Sequence, residues 1–337
     1  METSSAMEQR HLGRTSLSAS RIGIGLAALG RPGYINIGHA DDLGHDYDVA
    51  VMRARAGAVL DAAWAAGLRY FDAARSYGRA EEFLAHWLSS RGIAPDAVTV
   101  GSKWGYTYTA GWSVSAAQHE VKQHSLATLE RQIAESRERL GAHLDLYQIH
   151  SATLESGVLE DRDVLERLAR LRGDGVAIGL SLSGPRQADT LDRAMRVRVG
   201  GAPLFDAVQA TWNLLDRSAE RALRSAHDAG LGVIVKEALA NGRLTDRNRA
   251  LEFAHRRRQL EVVARRLSCT IDALALAAVL AQSWVDVVLS GAATVDHLRS
   301  NLTALDVRWD AAAAEALESV VEDPATYWQT RGRLEWN

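Results

Sequence analysis

Four ionisable side chains have types that together could transfer a proton to a carbonyl oxygen. Asp72 ends the run "LRYFD", Tyr77 follows five residues later, Lys103 follows "TVGS", and His150 closes "LDLYQIH". A tyrosine, with an ordinary pKa of about 10, is a weak acid at neutral pH unless a neighbouring ammonium stabilises its phenolate. Lys103 can supply that ammonium, Asp72 can hold it in place, and a neutral His150 can orient the carbonyl. The set therefore predicts an acid beside a polarised carbonyl and lacks only a reductant.

These side chains must be positioned by short apolar runs that alternate with longer helical stretches. The runs are mostly apolar without strict alternation, which is typical of strands buried on both faces. The eight predicted strands cover residues 22–26, 69–72, 98–102, 144–150, 176–181, 207–210, 232–236 and 285–289. Between them, apolar residues three or four positions apart predict helices, as at Met52, Ala56, Val59 and Ala63.

Eight βα units predict an α/β fold, the (β/α)8 TIM barrel, ahead of an open doubly wound sheet. No strand is followed by the G-x-G-x-x-G turn that marks an open dinucleotide-binding sheet. "GRTSL" at 13–17 predicts an N-terminal β-hairpin that closes the bottom of the barrel, and residues 310–322 predict a C-terminal extra helix. No linker interrupts the chain, so residues 1–337 are predicted to form a single domain.

Composition excludes several classes of function. The chain has 337 residues, of which 47% are hydrophobic and 24% are charged, as in globular proteins with a large core. A net charge of −3 with mixed signs predicts no binding to nucleic acid or to an anionic membrane. No run approaches the roughly 18 apolar residues of a membrane span. Cys269 is the only cysteine, which predicts a cytoplasmic location, and no spacing predicts a metal site.

In such a barrel the C-terminal ends of the strands form the site. Asp72, Lys103 and His150 fall at three consecutive predicted strand ends, and Tyr77 lies in the loop after the first of them. Each alone has a simpler explanation, as a strand cap, a solvated lysine or a hydrogen-bonded core histidine. Their joint placement favours a functional site.

The sequence that carries these residues resembles those of the aldo-keto reductase family. Asp72, Tyr77, Lys103 and His150 match the catalytic tetrad of that family in order, type and strand context. "RHLGRTSLSASRIGIG" resembles its opening hairpin and first strand, "GLRYFDAARSYG" its second strand, and "SGAATVDHLRSNL" at 290–302 its nucleotide-binding stretch. The resemblance implies an enzyme that reduces an aldehyde or ketone, with sugars and secondary metabolites among the candidates. Hydride would come from a nicotinamide cofactor and a proton from Tyr77.

The resemblance also implies a cofactor site across the top of the barrel. The predicted cofactor-binding residues are Gly25, Asp72, Ser181, Gln209, Lys236, Leu239, Gly291, Thr294, His297 and Asn301. Gly291, Ala292 and His297 stand where this family commonly has lysine or arginine and serine around the 2′-phosphate of NADP. NADPH is therefore the expected cofactor, and NADH remains an open alternative.

Two loops are predicted to shape a pocket for a small-molecule carbonyl substrate. One is the long segment 31–48, and the other is "WGYTYTAGW" after Lys103. The predicted substrate-binding residues are Tyr34, Trp104, Tyr106 and Trp112. Aromatic walls suit either an apolar ring or the face of a sugar, so the substrate is left open.

Three alternative functions remain at the level of sequence. The first is the reverse chemistry, as an NAD(P)-dependent sugar or alcohol dehydrogenase or a redox isomerase. The second is a regulatory subunit that binds cofactor and turns over slowly. The third is a (β/α)8 lyase or hydrolase that is unrelated to nicotinamide. The sequence leaves the oligomeric state undetermined.

Overall fold

A computed structural model describes residues 7–337, in which eight parallel strands close into a barrel. The strands are β1 (Ile22–Gly25), β2 (Tyr70–Asp72), β3 (Thr99–Trp104), β4 (Leu144–Ala152), β5 (Ala177–Leu182), β6 (Ala207–Thr211), β7 (Gly232–Lys236) and β8 (Val287–Ser290). Each strand pairs with the next in sequence, and β8 returns to pair with β1. The predicted (β/α)8 barrel is confirmed.

The interior of the barrel is tightly filled between β2 and β3. All six residues of β3 are buried. At Gly101 in this strand, an added Cβ would lie 2.8 Å from Oη of Tyr70 and 3.3 Å from Oδ1 of Asp72. A larger residue at this position would therefore displace the carboxylate that the site depends on.

Helices surround the barrel and pack their apolar faces on the strands. They are α1 (Val49–Ala65), α2 (Ala80–Ser90), α3 (Leu126–Leu140), α4 (Arg162–Gly173), α5 (Gln187–Ala194), α6 (Glu220–Asp228), α7 (Ala254–Arg266), α8 (Ile271–Leu280), α9 (Val295–Leu302), α10 (Ala311–Ala316) and α11 (Pro324–Gly332). In α3, for example, Leu129, Ile133 and Leu140 are buried while the opposite face is charged. None of the helices in residues 7–337 is long and apolar enough to cross a bilayer.

The predicted N-terminal hairpin is present and lies at the bottom of the barrel. Strands Gln9–His11 and Ser18–Ser20 pair antiparallel. Leu12, at the turn, is fully buried against Tyr70 and Ile234 from the barrel interior. The backbone N–H of Arg14 donates to the carbonyl of Gly230, just before β7. The hairpin therefore closes the end of the barrel opposite the C-terminal strand ends.

The C-terminal extension differs from the single helix predicted over 310–322. It forms the short helix α10, a 3-10 turn at Glu318–Val320 and then the separate helix α11. Pro324 lacks a backbone N–H donor and therefore starts α11, with the Asp323 side chain as its cap. Glu322, between the two helices, is fixed by a buried ion pair with Arg243. The sequence prediction did not include α11.

Two further differences concern the ends of the predicted strands. Strand β3 continues to Trp104, so Lys103 lies inside the strand rather than after it, and β4 continues two residues past His150 to Ala152. The loop after β3 also contains an unpredicted hairpin, in which strand Tyr106–Tyr108 pairs with Glu120–Lys122. This hairpin brings Glu120 over the C-terminal mouth of the barrel.

Candidate active site

A buried ion pair between Asp72 and Lys103 forms the floor of the site. Nζ of Lys103 donates to Oδ2 of Asp72 and, at 2.9 Å, to the carbonyl of Ala73. Oδ1 of Asp72 accepts from the side-chain amides of Gln209 at 2.9 Å and Gln148 at 3.2 Å. Both charged side chains are almost completely buried. The carboxylate thus has donors on both oxygens, which is what a buried charge requires.

Tyr77 and His150 meet above this pair. The hydroxyl of Tyr77 lies 3.5 Å from Nε2 of His150, and the hydroxyl of Ser76 lies 3.3 Å from Nδ1 of the same ring. Nζ of Lys103 lies 4.9 Å from the centroid of the Tyr77 ring. The structure therefore brings together the three residues predicted at strand ends and Tyr77, predicted in the loop after the first of them.

The electrostatic environment keeps Tyr77 protonated and His150 neutral. Burial raises the pKa of Tyr77 above its ordinary value, and the charge of Asp72 raises it further. Burial lowers the pKa of His150 well below its ordinary value, and the charge of Lys103 lowers it further. That Lys103 stabilises the phenolate of Tyr77 stays a prediction from the sequence.

A cavity of about 530 Å³ connects this group to the loop after β8. Tyr77 and His150 line one end, and Asn301 of α9 lines the other. The other predicted residues that line it are Gly25, Asp72, Gln209, Lys236, Leu239, Gly291, His297, Tyr34 and Tyr106. Lys103 does not line the cavity itself, but it contacts Asp72 and the ring of Tyr77, which do.

Two predicted cofactor residues have their hydroxyls engaged elsewhere. Oγ of Ser181 accepts a hydrogen bond of 2.8 Å from the backbone N–H of Ser151. Thr294 caps α9, since its Oγ1 accepts from the N–H of His297 at 3.1 Å. Neither side chain belongs to the cavity wall. Ser183, two residues after Ser181, lines the cavity instead.

The two tryptophans predicted to bind substrate lie away from the cavity, which corrects that expectation. Trp104 follows Lys103 in β3, so its side chain points to the opposite face of the strand and is fully buried among the helices. Nε1 of Trp112 donates to the carbonyl of Tyr47 at 2.6 Å, and its ring packs edge-on against Phe83. Tyr34 and Tyr106 do line the cavity.

The polar groups that line the cavity fit a nicotinamide dinucleotide. An added Cβ at Gly291 would meet no atom within 4 Å, so the wall is open there. Oδ1 of Asn241 is buried at the cavity wall and has no hydrogen-bond donor among residues 7–337. Nδ2 of Asn301 donates to Ser290 Oγ, and Ser300 Oγ donates to Asp272. These residues could hold the adenosine end.

One charged cluster in the cavity was only partly expected. Lys236 ends β7 and Glu237 follows it, with Nζ of Lys236 3.6 Å from Oε1 of Glu237. Arg331 of α11 binds the same carboxylate through Nε at 3.0 Å and Nη2 at 2.6 Å. Burial alone would raise the pKa of Glu237, but Arg331 and Lys236 outweigh it and lower that pKa to about 2. Glu237 is therefore a permanent anion committed to Arg331.

A second cluster joins two loops at the far end of the cavity. Nη1 of Arg247 donates to the carbonyl of Gly38 at 3.0 Å, and Nη2 pairs with the buried Asp42. Nε2 of His297 lies 3.5 Å from the same carboxylate. The segment after β7 is thereby tied to the long loop after β1.

Four cavity residues were not predicted from the sequence, and Arg31 was predicted only as the start of the loop 31–48. The four are Glu120, Arg247, Arg331 and Trp336. All lie outside the barrel strands, in loops, in an unpredicted hairpin or in the unpredicted helix and the segment after it. No spacing along the chain links them, so only the folded structure places them together. Residues 7–337 contain no group of three or more metal-ligating side chains.

The chain is thus a (β/α)8 barrel with a tyrosine, a histidine and a buried lysine–aspartate pair at its mouth. The chain belongs to the aldo/keto reductase family, whose model matches residues 21–322. Members of this family are oxidoreductases that use nicotinamide cofactors on small-molecule carbonyl compounds. The chain is therefore an enzyme of this class.

Individual relatives cover nearly the whole chain at low identity. Aldo-keto reductase ausK of Emericella nidulans is 27% identical over 95% of this chain and 85% of its own. The NADH-specific methylglyoxal reductase of Escherichia coli is 25% identical over 94% of this chain and 99% of its own. The structure of the aldo-keto reductase AKR11C1 from Bacillus halodurans, with 21% identity, has a TM-score of 0.70 over 94% of this chain and 97% of its own. That structure supports the fold alone.

Proposed function

We propose that this enzyme reduces an aldehyde or ketone to an alcohol and that Tyr77 donates the proton to the carbonyl oxygen. The observation that carries the proposal is the hydroxyl of Tyr77 lying 3.5 Å from Nε2 of His150, at one end of the cavity. By microscopic reversibility the same hydroxyl would act as the base in alcohol oxidation, so this geometry serves both directions. Rates measured in both directions on one carbonyl–alcohol pair test the dehydrogenase alternative.

Each side chain has a separate task in this proposal. A bound nicotinamide cofactor supplies the hydride. His150, as a neutral imidazole, donates a hydrogen bond to the carbonyl oxygen and fixes its position beside Tyr77. Tyr77 transfers its proton as negative charge develops on that oxygen. Lys103 then lies 4.9 Å from the ring that carries the phenolate, and Asp72 keeps Lys103 there.

For the cofactor we propose NADPH, with NADH accepted as well. Arg247 and His297 line the far end of the cavity and are the cationic or ionisable groups available to a 2′-phosphate. Asp42 already pairs with Arg247, and Asp272 also lines the wall, so these carboxylates oppose the extra phosphate charge. The name of the Escherichia coli relative records NADH specificity, which supports a weak preference rather than a strict one.

Replacing the proposed acid tests the assignment directly. We expect Tyr77→Phe to lower the single-turnover rate of cofactor oxidation with an aldehyde by about 10²–10⁴-fold, the range typical of general acid catalysis. The change removes one hydroxyl and keeps the ring, so binding of NADPH and NADH, measured by calorimetric titration, should be unchanged. The same titrations on the wild type measure the cofactor preference.

An unchanged rate in Tyr77→Phe would refute the role of Tyr77. Tight cofactor binding without turnover by the wild type, on a broad panel of carbonyl compounds, would favour a regulatory subunit. The single domain over residues 1–337 and the cytoplasmic location remain predictions from the sequence.

A further inference from the structure

Arg31 is a buried arginine at the cavity wall, and several of its N–H donors have no acceptor among residues 7–337. Its side chain is only 4% exposed. Nη1 donates to the carbonyl of Ser76 at 3.2 Å and to Oε2 of Glu120 at 2.9 Å. Nε is buried without an acceptor, and no side chain or carbonyl among residues 7–337 accepts from Nη2. A guanidinium has five N–H donors, so most of its capacity is unused.

Three aromatic rings hold this guanidinium beside the proposed acid. Its central carbon lies 5.2 Å from the ring centroid of Tyr77, 5.1 Å from that of Tyr34 and 4.8 Å from that of Trp336. Trp336 is itself stacked on His119, with the ring planes nearly parallel. The arginine is therefore held in place by stacking and two hydrogen bonds, and little side-chain freedom remains to be lost when a ligand binds.

Two other carboxylates of the cavity already have cationic partners. Asp72 is paired with Lys103, and Glu237 is paired with Arg331 and Lys236. Glu120 is the one carboxylate bound to Arg31, and it is partly exposed to solvent, which weakens its hold. A buried cation whose donors lack acceptors costs free energy until a ligand supplies them.

We propose that Arg31 binds a carboxylate carried by the carbonyl substrate, so that the substrate class is a short oxo acid. This rests on the function proposed above, since it assigns the other end of the same substrate. The planar fork of a guanidinium matches the two oxygens of a carboxylate. Because Arg31 lies close to the Tyr77 ring, the carboxylate must lie within a few bonds of the carbonyl that Tyr77 protonates. The carboxylate itself is unchanged by the reaction.

The charge balance selects a carboxylate over a phosphate. Glu120 offsets the charge of Arg31, whereas Lys236 and Arg331 share the single carboxylate of Glu237, so one positive charge of this group is not offset. One further negative charge is accommodated by the unused donors, whereas a dianion would be left in excess. A phosphorylated aldehyde is thus the natural comparison compound.

The test compares a 2-oxo acid with its neutral methyl ester, because the two share one reacting carbonyl. For the wild type we expect KM to be about 10–100-fold lower for the acid, the range of one or two charge-assisted hydrogen bonds. Arg31→Gln should abolish that ratio, and Arg31→Lys should retain part of it. Glu120→Gln should lower KM for the acid further, because it frees Arg31. The exposed Arg79, which pairs with Glu82, supplies the matched control Arg79→Gln, with an unchanged ratio.

A binding measurement separates substrate recognition from turnover. Oxamate is a carboxylate whose carbonyl is not readily reduced, and it should bind the cofactor-loaded wild type in calorimetric titration and bind Arg31→Gln at least about 10-fold more weakly. Its ethyl ester should bind both proteins equally. If Arg31 had only a structural role, Glu120→Gln would bind oxamate no more tightly than the wild type does. That result would overturn the proposal.

The outcomes also separate this proposal from the proposed function. Reduction of the ester without any preference for the acid would overturn the role of Arg31 and leave the role of Tyr77 intact. A phosphorylated aldehyde that depends on Arg31 more strongly than the oxo acid does would overturn the carboxylate assignment. If no carbonyl compound is reduced while oxamate still binds through Arg31, the proposed function fails and the anion site stands.

Discussion

At the scale of single residues, the site depends on which side chains keep their protons. Burial acts on Tyr77 and His150 in the same physical way, by disfavouring the charged form of each. The phenol therefore keeps its proton, and the imidazole remains neutral. The buried pair of Lys103 and Asp72 lies directly beneath them. A proton donor and an orienting donor are thus both ready before any substrate enters.

This arrangement predicts a flat pH profile for carbonyl reduction. The pKa of His150 lies well below 6.5, so the neutral ring persists when the pH falls to that value. The pKa of Tyr77 lies above 10, so its proton is retained as the pH rises toward that value. We expect the single-turnover rate with saturating cofactor and aldehyde to be constant between about pH 6.5 and 9.

Single-turnover measurement excludes product release, whose own pH dependence would obscure the chemical step. A fall in rate above an apparent pKa between 7 and 9 would contradict the protonated phenol. Tyr77→Phe serves as the control, since its residual rate should lack any contribution from a tyrosine proton.

At the scale of elements, α11 holds the charged end of β7 in place. Glu237 has the positive backbone angle φ of 55°, which is unfavourable for a residue with a side chain. Arg331 of α11 binds both of its carboxylate oxygens. The contact therefore fixes a strained turn at the cavity wall and docks the helix on the barrel at the same time.

Loss of this contact should be costly to the fold. We expect Arg331→Met to lower the free energy of unfolding by about 3 kcal/mol, the lower end of the range for breaking a buried ion pair, because Glu237 keeps only its longer contact with Lys236. The pKa of Glu237 is lowered to about 2 from 4.5. Its contribution to stability is therefore present above pH 4.5 and lost as the pH falls toward 2. Urea unfolding at pH 7 and at pH 3.5 measures both effects.

The double variant Arg331→Met with Glu237→Gln is the control, since it removes both charges. It should be more stable than Arg331→Met alone. Equal stability of the two variants would show that the lost packing of the arginine, rather than the loss of its charge beside Glu237, accounts for the cost.

Features that depend on residues close together in the chain could be predicted from the sequence. Features that depend on contacts between distant residues could not. The strands and Asp72, Tyr77, Lys103 and His150 were predictable because apolar runs and strand ends are local features of the chain. The direction in which Trp104 points was missed because β3 is longer than its apolar run suggests. Arg31 and Trp336 lie 305 positions apart, and only their contact in the folded chain gives them a shared role.

At the scale of the whole molecule, stability and chemistry lie at opposite ends of the barrel. The hairpin Gln9–His11 and Ser18–Ser20 closes the bottom, whereas the acid and the cavity lie at the top. Leu12 fills the space above Gly232, where an added Cβ would lie 2.4 Å from Cγ of Leu12. The bottom is therefore tightly packed and contains no group that touches the cavity.

This separation predicts a change in stability without a change in chemistry. We expect Leu12→Ala to lower the free energy of unfolding by about 2–5 kcal/mol, as large-to-small changes in a core do. Below the unfolding transition, the single-turnover rate and the cofactor affinity should equal those of the wild type. Denaturant unfolding and kinetics on the same preparation provide the two readouts. A lower rate in fully folded protein would show that the bottom of the barrel influences the site.

The origin of the cavity residues has a consequence for evolvability. Asp72, Lys103 and His150 belong to barrel strands, but Arg31, Glu120 and Trp336 belong to segments outside the barrel. A library that varies only those outer segments would sample new substrates while the proton donor and its supports stay constant. Selection for a different carbonyl compound can therefore proceed on this scaffold without first having to rescue its fold.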